Sequence, residues 1–111
     1  MAKQRILSIV VTECPSDSAE KFNKWYNEVH IPMLMKYKGI KKAARYKVMD
    51  ENKDKSQFIA IYEYESKEDM AGLNSSPEFK AAIEEMQETR KGQAFDIKSA
   101  FSCEPIKTWE R

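Results

Sequence analysis

No run of 18 apolar residues occurs in this chain, so a hydrophobic transmembrane helix is excluded at the outset. The N-terminal segment MAKQRILSIVVTE soon turns acidic and lacks a small-residue cleavage site, so no signal peptide is expected. Neither sign of charge dominates: 19 Lys and Arg stand against 18 Asp and Glu. The net charge of +1 leaves no long-range field to draw in nucleic acid or an anionic membrane, and neither is an expected partner. One histidine and two cysteines, with no CxxC pair, cannot supply the usual zinc sites. No metal and no cofactor are expected, and a cytoplasmic location with reduced thiols is the simplest reading.

What is present suits one domain, residues 1–111, around one core. Residues 5–13, RILSIVVTE, place Leu7, Ile9 and Val11 on one face and Ile6 and Val10 on the other, the pattern of a strand buried on both sides. Ser16 or Asp17 stands where a helix cap belongs, and Phe22, Trp25, Tyr26, Val29 and Met33 then form the stripe of an amphipathic helix. Pro32 cannot donate to Glu28 and disfavours helical geometry at Ile31, so a kink or restart is expected there, with a short piece running to Tyr37 and ending at Gly39.

Residues 40–50 set Ile40, Ala44, Tyr46 and Val48 against Lys41, Arg45 and Lys47, an edge strand with one wetter face. Residues 51–56, ENKDKS, read as a hairpin loop before a third strand over 57–65 that is apolar on both faces. Ser66 with Asp69 opens a short helix through Leu73. Ser76 and Pro77 start another that carries Phe79, Ala82, Ile83 and Met86 inward and stops at Gly92. Residues 94–103 alternate Phe95, Ile97, Ser99, Phe101 and Cys103 against polar or small neighbours, a fourth strand, and residues 104–111 trail it with Pro105 and Trp109.

The order βαββαβ makes this an α+β protein of the ferredoxin-like type, a four-stranded antiparallel sheet with two helices on one face. The first and fourth strands then pair antiparallel and carry Cys14 and Cys103 to opposite ends of the sheet, roughly 25 to 30 Å apart, too far to bridge. Two helices hide only one face, yet the first and third strands are apolar on both. A homodimer pairing sheet face to sheet face answers that, with the tail reaching across.

The segment WYNEVHIP resembles the Tyr-x-x-x-His-x-Pro helix motif of the dimeric α+β barrel superfamily, and of its EthD-like proteins in particular, at Tyr26, His30 and Pro32. KGIKKAARY is similar to the stretch where relatives have Pro-Gly, a hydrophobic residue and Ala-Arg-Tyr, and SKEDMAGLNSSPEFKAA to the start of their second helix. Together these span Phe22 to Ala82; Lys38 departs, standing where the family often has proline. The resemblance implies a homodimer, a dimeric α+β barrel, with a pocket in each protomer between helices and sheet. Members include cofactor-independent oxygenases of polyketide-like aromatics, cyclases, lactone isomerases, haem enzymes and proteins with no assigned reaction. The haem-degrading branch is least similar, because it wants an asparagine on the first strand and a tryptophan on the third.

Within that frame Tyr26 and His30, four apart on one helix face, are the candidate catalytic pair: the histidine takes a phenolic or enolic proton while the tyrosine orients it or donates to an oxyanion. Phe22, Met33, Tyr46, Tyr62 and Arg45 are the candidate substrate-binding residues, suited to a small hydrophobic or aromatic ligand. The competing role for His30 is structural, satisfying a carbonyl at the kink or hydrogen-bonding across the dimer; Arg45 and Glu28, candidates for fixing a polar substrate group, are in that view a surface ion pair, and the aromatics are simply core. The lysines around residues 36–47 read as guards of an edge strand, and Met33, Met35, Met49, Met70 and Met86 as an adaptable interior. Three readings follow, two of them with a ligand cavity. One is a cofactor-independent EthD-like enzyme of oxygenase, cyclase or isomerase type using His30 as general base; the other is a non-catalytic ligand-binding or stress-related barrel. An interaction module with a filled interior is the third, and it predicts no cavity.

Overall fold

A computed structural model describes residues 5–50 and 54–111. Its elements are β1 (Ile6–Pro15), a 3-10 turn (Ser16–Ser18), α1 (Ala19–Trp25), a π-helical turn (Tyr26–His30), α2 (Ile31–Met35), β2 (Ile40–Lys47), β3 (Lys55–Tyr64), α3 (Lys67–Leu73), α4 (Pro77–Arg90) and β4 (Asp96–Cys103). The strands form one antiparallel sheet in the order β2-β3-β1-β4, so the two apolar strands are central and the lysine-bearing ones are edges. This is the ferredoxin-like α+β arrangement. The loop expected over 51–56 lies outside the described residues at 51–53.

Register assigns the faces. Ser8, Val10, Thr12 and Cys14 of β1 pair with Tyr62, Ala60, Phe58 and Ser56 of β3 and face the helices; Leu7, Ile9, Val11, Ile59 and Ile61 face away. Each edge strand carries a bulge whose extra residue is a lysine. On β2, Ile40 pairs with Tyr64 and Lys42 with Glu63, leaving Lys41 unpaired. On β4, Ser99 pairs with Val11 and Ile97 with Thr12, leaving Lys98 over. One inserted residue flips every side chain beyond it to the other face. Strict alternation along β2 and β4 is therefore corrected: Arg45 faces the helices while Tyr46 faces away, and on β4 Ile97 faces the helices while Phe101 does not.

The kink takes a specific form. Pro32 has no N–H for the Glu28 carbonyl, and its ring crowds that carbonyl. The helix widens through Tyr26–His30, where the Ile31 N–H reaches back five residues to the Tyr26 carbonyl, and α2 starts with Pro32 in its first turn. Ser16 and Asp17 lie in the 3-10 turn, and Ser18 holds the N-cap position of α1 without a side-chain bond, which corrects the expected cap. The other caps form as read: Ser66 Oγ accepts from the Asp69 N–H at 3.0 Å and Ser76 Oγ from the Phe79 N–H at 3.1 Å, with Pro77 opening α4.

Gly39 does its work by absence of a side chain, since no described residue has positive φ. A Cβ at Gly39 would run into the Tyr37 ring, and one at Gly72 would lie 2.6 Å from Tyr37 Oη. That hydroxyl donates to the Asp69 carbonyl at 2.6 Å, so Tyr37 ties α3 to the end of α2 through two glycine notches. Cys14 is buried and Cys103, paired with Leu7 at the other end of β1, is half-buried; both are free thiols. Among the described residues no helix is long and apolar enough to cross a membrane, and no cluster of three metal-ligating side chains occurs.

Candidate functional site

Between the sheet and the helices lies a cavity of about 540 Å³, the room of a small organic ligand. Ser8, Val10 and Thr12 of β1, with Tyr62 and Tyr64 of β3, form its floor. Phe79, Ile83 and Met86 of α4 form one wall, Met70 and Leu73 of α3 another, and Tyr26, His30 and Leu34 a third. None of the lining side chains is Asp, Glu, Lys or Arg. A void of this size within the protomer runs against the filled interaction module, which predicts no cavity.

The π-helical turn aims Tyr26 and His30 at this space. A turn with five residues to its hydrogen bond spreads side chains that a regular helix would stack, and Tyr26 and His30 meet edge to face with ring centroids 4.9 Å apart. Tyr26 Oη lies 3.5 Å from Tyr62 Oη, a long contact in which either hydroxyl can donate. His30 is 5 % exposed and stacks on Trp25 at 5.1 Å. Its Nδ1 is buried and meets no hydrogen-bond partner among the described residues, so no carbonyl at the kink pairs with that nitrogen.

Electrostatics follow from burial. Desolvation lowers the His30 pKa to about 4; the carboxylate of Glu85 works against that and the guanidinium of Arg45 with it. His30 is therefore a neutral imidazole at pH 7, able to accept a hydrogen bond. Burial pushes the phenols of Tyr26 and Tyr62 up, Tyr62 the further, so both are protonated donors. Glu85 is held beside the histidine by Trp25 Nε1 donating at 2.8 Å and Thr89 Oγ1 donating at 2.7 Å.

The depressed His30 pKa links to stability. Between about pH 4 and pH 6.5 the unfolded chain binds a proton that the folded chain does not, so stability falls as pH falls through that window. The full shift is worth on the order of 3 kcal/mol. Urea midpoints measured from pH 7 to pH 4 are expected to drop in the wild type and to drop less in His30→Gln, which cannot titrate; parallel curves would show that His30 is not the group responsible.

The sequence-derived site residues divide. Tyr26, His30 and Tyr62 converge on the cavity. Phe22 is fully buried in the aromatic core and Met33 packs against that core, so neither lines the cavity, a correction that follows from the helix stripe facing the sheet. Tyr46 is 59 % exposed on the far side of the sheet, removed from the cavity by the Lys41 bulge. Arg45 stands behind Tyr26, and its partner is Asn27, not Glu28: Nη1 donates to Asn27 Oδ1 at 2.9 Å. Met70 and Met86 line the cavity, whereas Met49 is exposed and Met35 partly so. Glu85 carries no signal in the sequence, because it meets Trp25 across 60 residues of chain. Ser8 and Thr12 do carry one, as two polar residues in phase on an otherwise apolar strand.

A sequence-family model described as a domain of unknown function (DUF4286) matches residues 5–98. No curated protein matches the sequence. Among solved structures, an EthD family protein from Bacillus halodurans superposes with a TM-score of 0.70 at 16 % identity, covering 92 % of this chain and 99 % of that one. A dimeric ferredoxin-like protein from an uncultured marine organism gives 0.71 at 20 % identity, with 96 % and 99 % covered. A Streptomyces coelicolor monooxygenase in complex with nanaomycin D gives 0.70 at 11 %, with 98 % and 94 % covered. At these identities the likeness is one of fold. The family match spans most of the chain, which belongs to the DUF4286 family.

Proposed function

We propose that this chain is a homodimeric small-molecule-binding α+β barrel that takes an uncharged, largely apolar or aromatic ligand in the cavity, with His30 as general base and Tyr26 as hydrogen-bond donor. The observation that carries the reading is the His30 Nδ1, buried, neutral and unpartnered at the wall of an uncharged cavity beside two phenols. A buried polar atom without a partner costs about 1–3 kcal/mol, which a ligand hydroxyl hydrogen-bonded to it would offset. The chemistry is that of a weak oxygen acid. Its O–H donates to His30, the proton moves to the imidazole, and the oxygen left negative accepts from Tyr26, whose own hydroxyl Tyr62 can support. The Bacillus EthD family protein and the Streptomyces monooxygenase, the latter holding an organic ligand, support the ligand class by likeness of fold.

A binder without turnover uses the same cavity and is the second reading, favoured by the stacking of His30 on Trp25, which restrains the ring. Native mass spectrometry against a panel of phenols and quinones separates the cases. His30→Ala is expected to weaken retention of any bound phenol at least tenfold while the circular dichroism spectrum is unchanged. Unchanged retention, and unchanged turnover where turnover is seen, would remove His30 from the site.

A further inference from the structure

We infer that Arg45 is a positioning residue for Tyr26: its guanidinium, lodged against the phenol ring from the sheet side, is set to offset negative charge that gathers on the Tyr26 oxygen or on a ligand atom hydrogen-bonded to it. The inference rests on the reading of the cavity as a ligand site and deepens it. It begins with the Lys41 bulge, without which Arg45 would face away from the helices as Tyr46 does. With the bulge, the Arg45 guanidinium carbon sits 4.3 Å from the Tyr26 ring centroid, and 5.5 Å and 5.8 Å from those of Phe58 and Phe22. A cation over three rings is held by their quadrupoles.

Among the described residues the charge has no counter-ion. Nη1 is taken by the neutral amide of Asn27, and Nε and Nη2 are buried with no hydrogen-bond partner among those residues. The groups that face the guanidinium are Tyr26 on the π-helical turn, Tyr62 on β3 and Cys14 on β1, all neutral at pH 7, and it also acts on His30. An arginine bound to a carboxylate would have its field cancelled locally; this one directs its field at phenols. The cavity thus contains no charged lining residue, yet a cation stands one ring away from its hydrogen-bond donor.

The arrangement separates two tasks. An uncharged lining admits an uncharged ligand without competing for anions in general. Once a proton passes to His30, the charge left on the ligand oxygen is shared with Tyr26 Oη, and Arg45 stabilises that state through the ring. The same cation opposes protonation of His30 before the ligand arrives, while Glu85 from α4 favours it. Arg45 therefore shifts the balance toward a neutral histidine and a phenol ready to share negative charge.

The test needs no ligand. Tyrosinate formation is followed by ultraviolet difference absorbance across alkaline pH, and the Tyr26 step is identified as the one absent from Tyr26→Phe. In Arg45→Met, close in length but uncharged, that step is expected to move to higher pH by about one unit, and the His30 titration followed by NMR to move up as well. In Arg45→Lys both should lie nearer the wild type. Should Arg45→Met fail to fold, Arg45→Gln, which keeps a donor for Asn27, is expected to show the same displacement. A Tyr26 step unmoved in either folded uncharged variant overturns the inference. Failure of the ligand reading would appear elsewhere, as unchanged phenol retention in His30→Ala, so the two outcomes are distinguishable.

Discussion

Phe22→Ala is expected to destabilise the domain by about 4 kcal/mol, the scale of a large aromatic removed from a closed core. The side chain is 0 % exposed, so the lost burial is complete. Its ring stands 5.1 Å from Phe95, 5.5 Å from Tyr26, 5.9 Å from Phe58 and 6.1 Å from Trp25, centroid to centroid. These partners come from α1, the π-helical turn, β3 and the approach to β4, so one residue ties the first helix to both halves of the sheet. Edge and tilted ring pairs add about 0.5–1.5 kcal/mol each beyond burial, and alanine forfeits them together while leaving a cavity that stiff neighbours cannot close. Against a total stability of about 5–15 kcal/mol for a domain of this kind, the loss removes between about a quarter and most of it. Urea denaturation followed by tryptophan fluorescence should show the midpoint collapse, and Phe22→Leu should retain most of it. A loss under about 1 kcal/mol would mean that the cluster repacks and that Phe22 is not its keystone.

Phe22 also marks what sequence could reveal. Its place on the stripe with Trp25, Tyr26 and Val29 identified the buried face of the helix, because apolar residues at a 3.6-residue period over three turns fall on one side of a helix and on no single side of a strand. Which member of a buried stripe meets solid core and which meets a void is a matter of depth, and periodicity carries no depth. That Tyr26 and His30 share one helix face was legible from their i, i+4 spacing, and the motif resemblance singled them out; the π-helical widening that places both at the cavity is how the backbone answers Pro32. Tyr46 and Arg45 exchanged roles for a purely local reason. A single unpaired lysine leaves no turn residue to announce a bulge, and one residue of slip reverses every assignment downstream of it. Lys98 did the same on β4. Glu85 was out of reach altogether, since no pattern in α4 points to Trp25.

The second large effect concerns the outer face of the sheet. Ile61 sits at its centre, paired with Ile9 on one side and Ala44 on the other. Apolar side chains of β1 and β3 surround it, and Phe101 of β4 is half exposed beside Ile9. Charge is confined to the ends. Arg5 and Lys42 reach Glu63 at 3.5 Å and 3.8 Å at one end, and Gln57 donates to Glu13 at 2.9 Å with Lys98 at 3.9 Å at the other. An apolar centre with a polar rim is the anatomy of an interface, and a two-fold axis through Ile61 would satisfy it with one sequence. The tail after β4 adds further unburied apolar surface, with Ile106 96 % and Trp109 77 % exposed.

In that assembly Ile61→Glu places two facing carboxylates, one from each protomer, in a dry interface. Each loses hydration without gaining a partner, and the pair repels. A total of about 4 kcal/mol corresponds to roughly a thousandfold weaker dimer. Sedimentation at micromolar concentration is expected to give twice the 13.0 kDa chain mass for the wild type and the single-chain mass for Ile61→Glu. Because Ile61 projects away from the helices, the isolated protomer should keep its circular dichroism spectrum and its cavity. Ile61→Val, which keeps the face apolar, should remain dimeric. A wild type already at the single-chain mass would leave the sheet face without its two-fold partner, and a dimeric Ile61→Glu would move the contact to another surface.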